Sequence, residues 1–378
     1  RETLRCNRKE WKLFDSQTHL VNGETMSRVS GDIRAIEGKE ILNLAGIKKG
    51  MVDLVVGGAP CQPFSNIGKK KGVNDSENGD LFLEFVRIVK QISPRAFIFE
   101  NVVGITQQKH NVIDYMKDKF KSEGYGLSCA ILNAADYGVP QKRRRFFLVG
   151  IKGIDKPAFP IPTHFEDKKT FERFIHEFGS KSTAPLFDDT ASNEIPTCKY
   201  KQYISVKEAF SRIPPDSNGR TDYALMNISS KVINRMKLIK QGENFHVLPF
   251  DMRPNCWKNG KHQGTDTFGR LREDCPSVTI RTAAYNPAKG RYIHPTEHRG
   301  LSSIEMAVLQ DFPLNWTFCC HNRSKITLVS GGRQIGNAVP IGLAKSLGEA
   351  IKIQLLELTF INDKIESPRD AIAPALNS

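Results

Sequence analysis

The chain has 378 residues, with 55 Lys+Arg against 41 Asp+Glu and a formal net charge of +14. No apolar run approaches the ~20 residues of a membrane span, no signal peptide is visible, and the eight cysteines follow neither a disulfide framework nor a zinc spacing. This excludes a membrane-spanning or disulfide-stapled protein, points to a reducing cytoplasm, and favours a polyanionic partner held through phosphate contacts.

The first informative element is Asp53–Val56, a β-branched apolar run read as a buried strand, closing in Gly57-Gly58-Ala59 and then Pro60-Cys61-Gln62. It puts a thiol at the carboxyl end of a strand, where ligands of open α/β sheets bind. Ser65 to Asp80 is polar, with Gly68, Gly72, Gly79 and the run Lys69-Lys70-Lys71. It reads as a loop able to close over a substrate. Leu81–Ile92 has its apolar residues at helical spacing. Ala96–Phe99 is a second buried strand, ending in Glu100-Asn101-Val102. A thiol and a carboxylate at two strand ends of one sheet can face one substrate. Val112–Ser122 predicts another helix, and Leu127–Leu132 and Phe146–Ile151 further strands. Arg143 and Arg145 fall where the last strand begins, and alternation would point both to one face. Strands alternating with helices predict an α/β fold with a parallel sheet.

Beyond Gly153 the texture changes. Lys156 to Pro196 mixes Pro, Thr, Asp and Phe without period, with a domain boundary expected near Thr163–Asp167. Tyr203–Ile213 and Ser229–Ile239 look helical. Lys240 to Phe268 is loop-rich and holds Arg253, Asn255, Lys258, Asn259, Lys261, His262 and Gln263. Arg, Asn and Gln are the usual readers of base edges. Ser302 and Glu305 form a capping box. Gly331 to Gly336 suggests a phosphate loop, although Arg333 breaks G-x-G-x-x-G. Ile341–Leu358 predicts a long closing helix, followed by a polar tail from Thr359 to Ser378. Cys319-Cys320-His321 is too compact for tetrahedral ligation by all three, and no metal site is expected.

The blocks Gly57-Gly-Ala-Pro-Cys-Gln-Pro-Phe-Ser65, Glu100-Asn-Val102, Asn133-Ala-Ala-Asp-Tyr-Gly-Val-Pro140, Gln141-Lys-Arg-Arg-Arg145 and Gln334-Ile-Gly-Asn-Ala-Val-Pro340 stand in that order. So do His294-Pro295, Arg299, Leu301, Glu305, Gln310, Phe312 and Pro313. Together they resemble the ordered motifs of the DNA (cytosine-5) methyltransferase family, from the first residues to about Ile351. The resemblance implies a Rossmann-like sheet of the S-adenosylmethionine-dependent methyltransferases, N-terminally incomplete, with a smaller target-recognition domain. It divides the chain into a catalytic domain over 1–165, a recognition domain over 166–334, and a C-terminal motif and helix over 335–378 that return to the catalytic domain.

The implied roles follow residue by residue. Cys61 is the nucleophile, Glu100 acts at N3 and the exocyclic amine, and Arg145, with Arg143 beside it, lies near the ring O2. Asp32, Ile33, Pro60, Leu81 and Asn337 bind S-adenosylmethionine. Gln62, Ser65, Lys69, Lys70, Arg253 and Lys258 are the candidate DNA contacts. The residue types suit the chemistry on their own. Thiolate addition to cytosine C6 makes C5 nucleophilic, which is covalent catalysis. A carboxyl raised in pKa by burial can serve N3. Double-stranded DNA is the expected partner. A restriction endonuclease would act on the same site without contact, as in a bacterial restriction–modification system. The rival readings are an RNA cytosine-5 methyltransferase and an inactive DNA-binding remnant.

The family opens with a strand and a Phe-x-Gly-x-Gly loop, and glycines before Gly57 are here single: Gly23, Gly31, Gly38, Gly46 and Gly50. Arg1 to Asn7 resembles the helix after the second strand, and Gly31-Asp32-Ile33 the third block. The expectation is a truncated product or one piece of a split enzyme, completed by an N-terminal segment or subunit, binding the cofactor weakly or not at all when alone and prone to aggregate.

Overall fold

The computed structural model describes residues 7, 19–21, 24–26, 33–59, 81–107, 112–180, 199–258, 264, 266–319 and 325–366. Along the chain these form β1 (His19–Val21), β2 (Glu24–Met26), α1 (Gly38–Ala45), β3 (Leu54–Gly57), α2 (Leu81–Ile92), β4 (Ala96–Val102) and α3 (Val112–Ser122). Then come β5 (Tyr125–Asn133), β6 (Gln141–Lys142), β7 (Arg144–Lys152), α4 (Lys168–Ser180), α5 (Val206–Phe210), α6 (Ser230–Lys237) and α7 (Asn255–Lys258). β8 (Ser277–Val278), α8 (Ser303–Leu309), α9 (Leu328–Asn337) and α10 (Ile341–Glu366) complete the order. Two compact units share them. A sheet unit comprises Phe14–Leu132, Arg145–Pro160 and Ser346–Ser378; a coil-rich unit comprises Arg1–Leu13, Asn133–Arg144 and Ile161–Lys345. These bounds are drawn differently from the sequence-based domains, because residues 133–144 pack with 161–345.

The sheet unit is built on four strands in the order β3-β4-β7-β5. β3 and β4 run parallel, with Gly57 opposite Phe99, while β7 runs antiparallel to β4, with Arg145 opposite Val102. The sheet is therefore mixed, where strand–helix alternation had predicted a parallel one. The connection between β5 and β7 spans only residues 134–143, too short for the crossover of a dozen or more residues that a parallel return needs. α2 buries Phe82, Phe85, Ile88, Val89 and Ile92, one helical face. α3 buries Val112, Met116 and Phe120, spaced at successive turns. Phe85 meets the rings of Phe97, Phe99 and Phe120 at centroid distances of 6.0, 5.2 and 6.2 Å. Each such side chain taken from water contributes roughly 1.5–3 kcal/mol. This core fixes β3 and β4 side by side, so their carboxyl ends emerge together. Gly57 is required there, because a Cβ would stand 2.5 Å from the Phe85 ring.

Among its described residues, the coil-rich unit has little regular structure beyond its helices and the short pairing of β6 with β8. Its main core gathers Val206, Leu271, Ile280, Tyr292, Leu301, Met306, Leu309 and Ile335. All seven residues of α8 are buried. The expected capping box is present: Ser302 Oγ accepts from the Glu305 amide at 3.3 Å, and Glu305 Oε2 accepts from the Ser302 amide at 2.8 Å. Where regular pairing is sparse, arginines satisfy the main chain. Arg270, 4% exposed, donates to the carbonyls of Ile239, Met236, His294 and Glu297.

Two sequence-based expectations are corrected in detail. The segment without period holds α4, capped where Asp167 Oδ1 accepts from the Thr170 amide at 2.7 Å. The closing helix runs to Glu366, into the stretch read as tail.

Candidate active site

Two segments that carry candidate site residues meet at the carboxyl ends of β3 and β4. Parallel register carries the chain past Gly57 alongside Glu100. A Cβ on Gly58 would lie 3.1 Å from Glu100 Oε2, so the backbone there passes close to the carboxylate. Asn101, 4% exposed, donates from Nδ2 to the Ala59 carbonyl at 3.3 Å. The chain is thus held beside Glu100 up to the residue before Pro60. Pro60, Cys61, Gln62, Ser65, Lys69 and Lys70, the Ser65–Asp80 loop, and Asp32 lie outside the described residues.

Glu100 is paired. Its Oε1 lies 3.1 Å from Arg145 Nε, and the two side chains are 17% and 15% exposed. The pair arises from the strand layout: β4 and β7 are adjacent, and Arg145 opposes Val102 on the neighbouring strand. A carboxylate and a guanidinium fork side by side can meet a planar ring that carries both an amine and a carbonyl.

Arg143 goes elsewhere. It is 3% exposed and donates from Nη1 to the Ile280 carbonyl at 2.9 Å and from Nη2 to the Gly336 carbonyl at 3.1 Å. The expectation that Arg143 and Arg145 share a face is overturned, because the strand stops at Lys142 and restarts at Arg144. Alternation holds only within a continuous strand. Gln141 extends the same buried network: Nε2 donates to Gln310 Oε1 at 2.8 Å, and Oε1 accepts from the Ile280 amide at 2.7 Å. Gln310 donates in turn to the Ile335 carbonyl at 2.6 Å.

This network surrounds α9, whose last residue is Asn337, exposed at the helix end. The glycine run inside α9 serves packing and forms no phosphate loop. A Cβ on Gly332 would stand 2.2 Å from the Thr282 carbonyl oxygen, and one on Gly336 2.4 Å from the Thr282 amide. In the sheet unit, Ile33 and Leu81 are half-buried apolar side chains. Ile33 packs on the cluster of Leu42, Ile88 and Ile92.

The candidate DNA contacts differ in freedom. Arg253 donates from Nε to the Leu248 carbonyl at 2.9 Å and from Nη2 to the His246 carbonyl at 2.6 Å. Lys258 Nζ lies 5.2 Å from the centre of the Phe250 ring, and Phe250 is 65% exposed. Among the described residues, no group of His, Cys, Asp and Glu is arranged to hold a metal ion, and no helix is long and apolar enough to cross a membrane.

Sequence reasoning missed several of these positions. Asn101, read only as part of a tripeptide, tethers Ala59. The polar stripe Glu84, Arg87, Gln91 on α2 was passed over, although its i, i+3, i+7 spacing marks one helix face. Gln141 and Gln310 stood in the quoted motifs without a role.

The family model for C-5 cytosine-specific DNA methylases matches residues 7–353. The chain belongs to the C-5 cytosine-specific DNA methylase family. It is a methyltransferase that acts on C5 of cytosine in DNA. It is 31% identical over 366 residues to the Type II methyltransferase M.XorII of Xanthomonas oryzae, covering 94% of this chain and 79% of that protein. It is 29% identical over 385 residues to M.DdeI of Desulfomicrobium norvegicum, covering 94% and 84%. In fold it is similar to a DNA modification methyltransferase encoded within an E. coli prophage, with TM-score 0.55, 21% identity, and 87% and 86% of the two chains covered.

Proposed function

We propose that this methyltransferase modifies a flipped cytosine within a specific duplex sequence through a covalent bond between Cys61 and C6, as the modification enzyme of a restriction–modification system. The observation that supports the mechanism is the pairing of β3 with β4, which brings the segment leading to Cys61 beside the Glu100–Arg145 pair. The Type II names of the relatives support the biological setting.

Cytosine C6 is reached from the face of the ring, which stacking covers, so the base must leave the helix at a cost of a few kcal/mol. The Cys61 thiolate forms the S–C6 bond, and the displaced electron pair moves toward N3 and C5. Glu100 holds N3 and the exocyclic amine, and Arg145 holds the ring O2. Bound S-adenosylmethionine supplies an electrophilic methyl group. Once C5 carries the methyl, loss of the C5 proton lets the S–C6 bond break and returns the thiolate. Asp32, Ile33, Pro60, Leu81 and Asn337 are the residues assigned to hold the cofactor. Arg143 is assigned a positioning role, since its donors bind carbonyls of residues 280 and 336.

Recognition is assigned to Lys240–Phe268, with Lys258 on phosphate and Arg253 bracing the loop. Gln62, Ser65, Lys69 and Lys70 are assigned to the strand around the flipped base. Phosphate contacts fix position and base-edge contacts carry sequence. Swapping this segment for that of a relative should move the methylated sequence in bisulfite sequencing; an unchanged pattern would put recognition elsewhere, in Lys168–Tyr200. The mechanism is tested with duplex DNA containing 5-fluorocytosine at the target. Because fluorine cannot leave as the C5 proton does, the complex should be trapped, and peptide mapping should find the adduct on Cys61. An adduct on another cysteine overturns the assignment. Tritium transfer to duplex DNA but not to tRNA separates the reading from an RNA enzyme.

A further inference from the structure

The turn that carries Ile33 does not hold itself in place. Residues 33–35 form a single helical turn, closed by the Ile36 amide on the Ile33 carbonyl at 3.1 Å. A single turn of this kind is marginal in water without outside support. The support comes from α2. Arg87 Nη2 donates to both the Ile33 and the Ile36 carbonyls, each at 2.9 Å. Its Nη1 donates to Gln91 Oε1 at 3.0 Å and lies 3.3 Å from Glu37 Oε2. Gln91 Oε1 also accepts from the Gly38 amide at 2.7 Å. Glu84 faces Arg87 from the preceding turn, 2.6 Å from Nη2. Gly38 permits the close approach, since a Cβ there would stand 2.6 Å from Gln91 Cβ.

Arg87 is thus the hub of a polar clamp tying residues 33–38 to α2, whose first residue is Leu81. Two of the residues assigned to the cofactor, Ile33 and Leu81, are held to one rigid element, and Asp32 precedes the clamped turn directly in the chain. The planar fork meets both carbonyls from Nη2 while Nη1 meets Gln91 and Nε meets Glu84, a fixed spread of donors that a lysine ammonium on a flexible stem does not reproduce.

We infer that Arg87 is a positioning residue for cofactor binding: it fixes the Ile33–Ala35 turn on α2 and so sets affinity for S-adenosylmethionine, without contacting cytosine or the methyl group. This rests on the cofactor reading above. The test is calorimetry of S-adenosylhomocysteine binding to the full chain, parent against Arg87→Lys and Arg87→Met, together with amide hydrogen exchange over residues 33–38. The expected result is a Kd raised at least about tenfold in Arg87→Met, an intermediate rise in Arg87→Lys, and faster exchange confined to 33–38. KM for S-adenosylmethionine should rise in step, while kcat at saturation stays within about twofold, because no transition-state contact is removed. If Arg87→Met does not fold, Arg87→Lys and Gly38→Ala carry the same expectation. A parent chain that binds S-adenosylhomocysteine beside folded variants that bind it equally well overturns this inference alone. So does a fall in kcat with Kd unchanged. Absence of binding by the parent overturns the cofactor reading and this inference with it.

Discussion

Arg145 and Arg143 stand two residues apart, one in each compact unit. In the sheet unit, Arg145 meets a carboxylate at the end of a strand. In the coil-rich unit, Arg143 is almost wholly buried and meets only main-chain carbonyls among the bonds described above. The same side chain does opposite work in the two settings. Beside Glu100 it is part of an ion pair that a ring with amine and carbonyl edges can join. Among the carbonyls of residues 280 and 336 it supplies donors just beyond the two-residue ladder of β6 with β8. Residue type and family motif point equally to both; only the second bonding partner distinguishes chemistry from support.

The largest effect expected is on the nucleophile. Cys61→Ser should lower methyl transfer on the order of 10⁴-fold or more, because a hydroxyl is a far weaker nucleophile than a thiolate at neutral pH. Gel-shift affinity for duplex DNA should be largely kept; retained transfer would sever the sheet unit's strand ends from the chemistry. Next, Glu100→Gln should reduce kcat by roughly 10²–10⁴, while the melting temperature changes little, since Gln preserves shape and can still accept from Arg145. If kcat survives, the Glu100–Arg145 pair is structural and the contrast between the two arginines collapses.

Arg143→Met should do the reverse. It leaves two buried carbonyls without their charged donors, at a cost of about 1–3 kcal/mol each. Urea denaturation should therefore show a loss of roughly 2–6 kcal/mol, with the folded fraction retaining most of its kcat at saturating substrate. A folded, stable Arg143→Met chain with collapsed kcat would make Arg143 catalytic after all.

The smallest effect concerns the coil-rich unit's other polar centre. His294 lies 3.5 Å from Glu305 and 3.7 Å from Glu297, while Nδ1 accepts from the Glu297 amide at 3.1 Å. Phe210 stacks on it at 5.3 Å. Burial lowers its pKa, Glu305 opposing and Arg299 adding to the effect. The unfolded chain therefore takes up a proton near pH 6.5 that the folded chain resists, so stability falls as pH drops through 6.5 toward the lower folded value. His294→Gln should flatten the decline of stability between pH 7.5 and 5.5 by at most ~1.4 kcal/mol per pH unit. Parallel curves for parent and variant would show that His294 does not titrate on its own there.

How much of this was legible in the sequence varies by element. α2 and α3 begin and end where apolar periodicity placed them, Leu81–Ile92 and Val112–Ser122, because each buries one face against the sheet and period alone encodes that. The strand ends carrying Glu100 and the approach to Cys61 were equally legible, since a short apolar run bounded by polar or turn residues has few alternatives. α4 was not, because its aromatic spacing at Phe171 and Phe174 is embedded between proline-rich segments. The Arg87 clamp was not, because a helix's polar stripe looks the same whether it faces water or another backbone.

The sequence by itself determined the family, the α/β class, and the strand that leads toward Cys61 and the strand that carries Glu100, because these depend on residue type, local period and motif order. The tertiary structure alone decided that β7 runs against β4, that Arg145 reaches Glu100 while Arg143 reaches the main chain, and that Arg87 fastens the Ile33 turn. Those outcomes depend on which acceptor lies within about 3 Å of a donor once distant segments have packed, and sequence spacing carries no record of that distance.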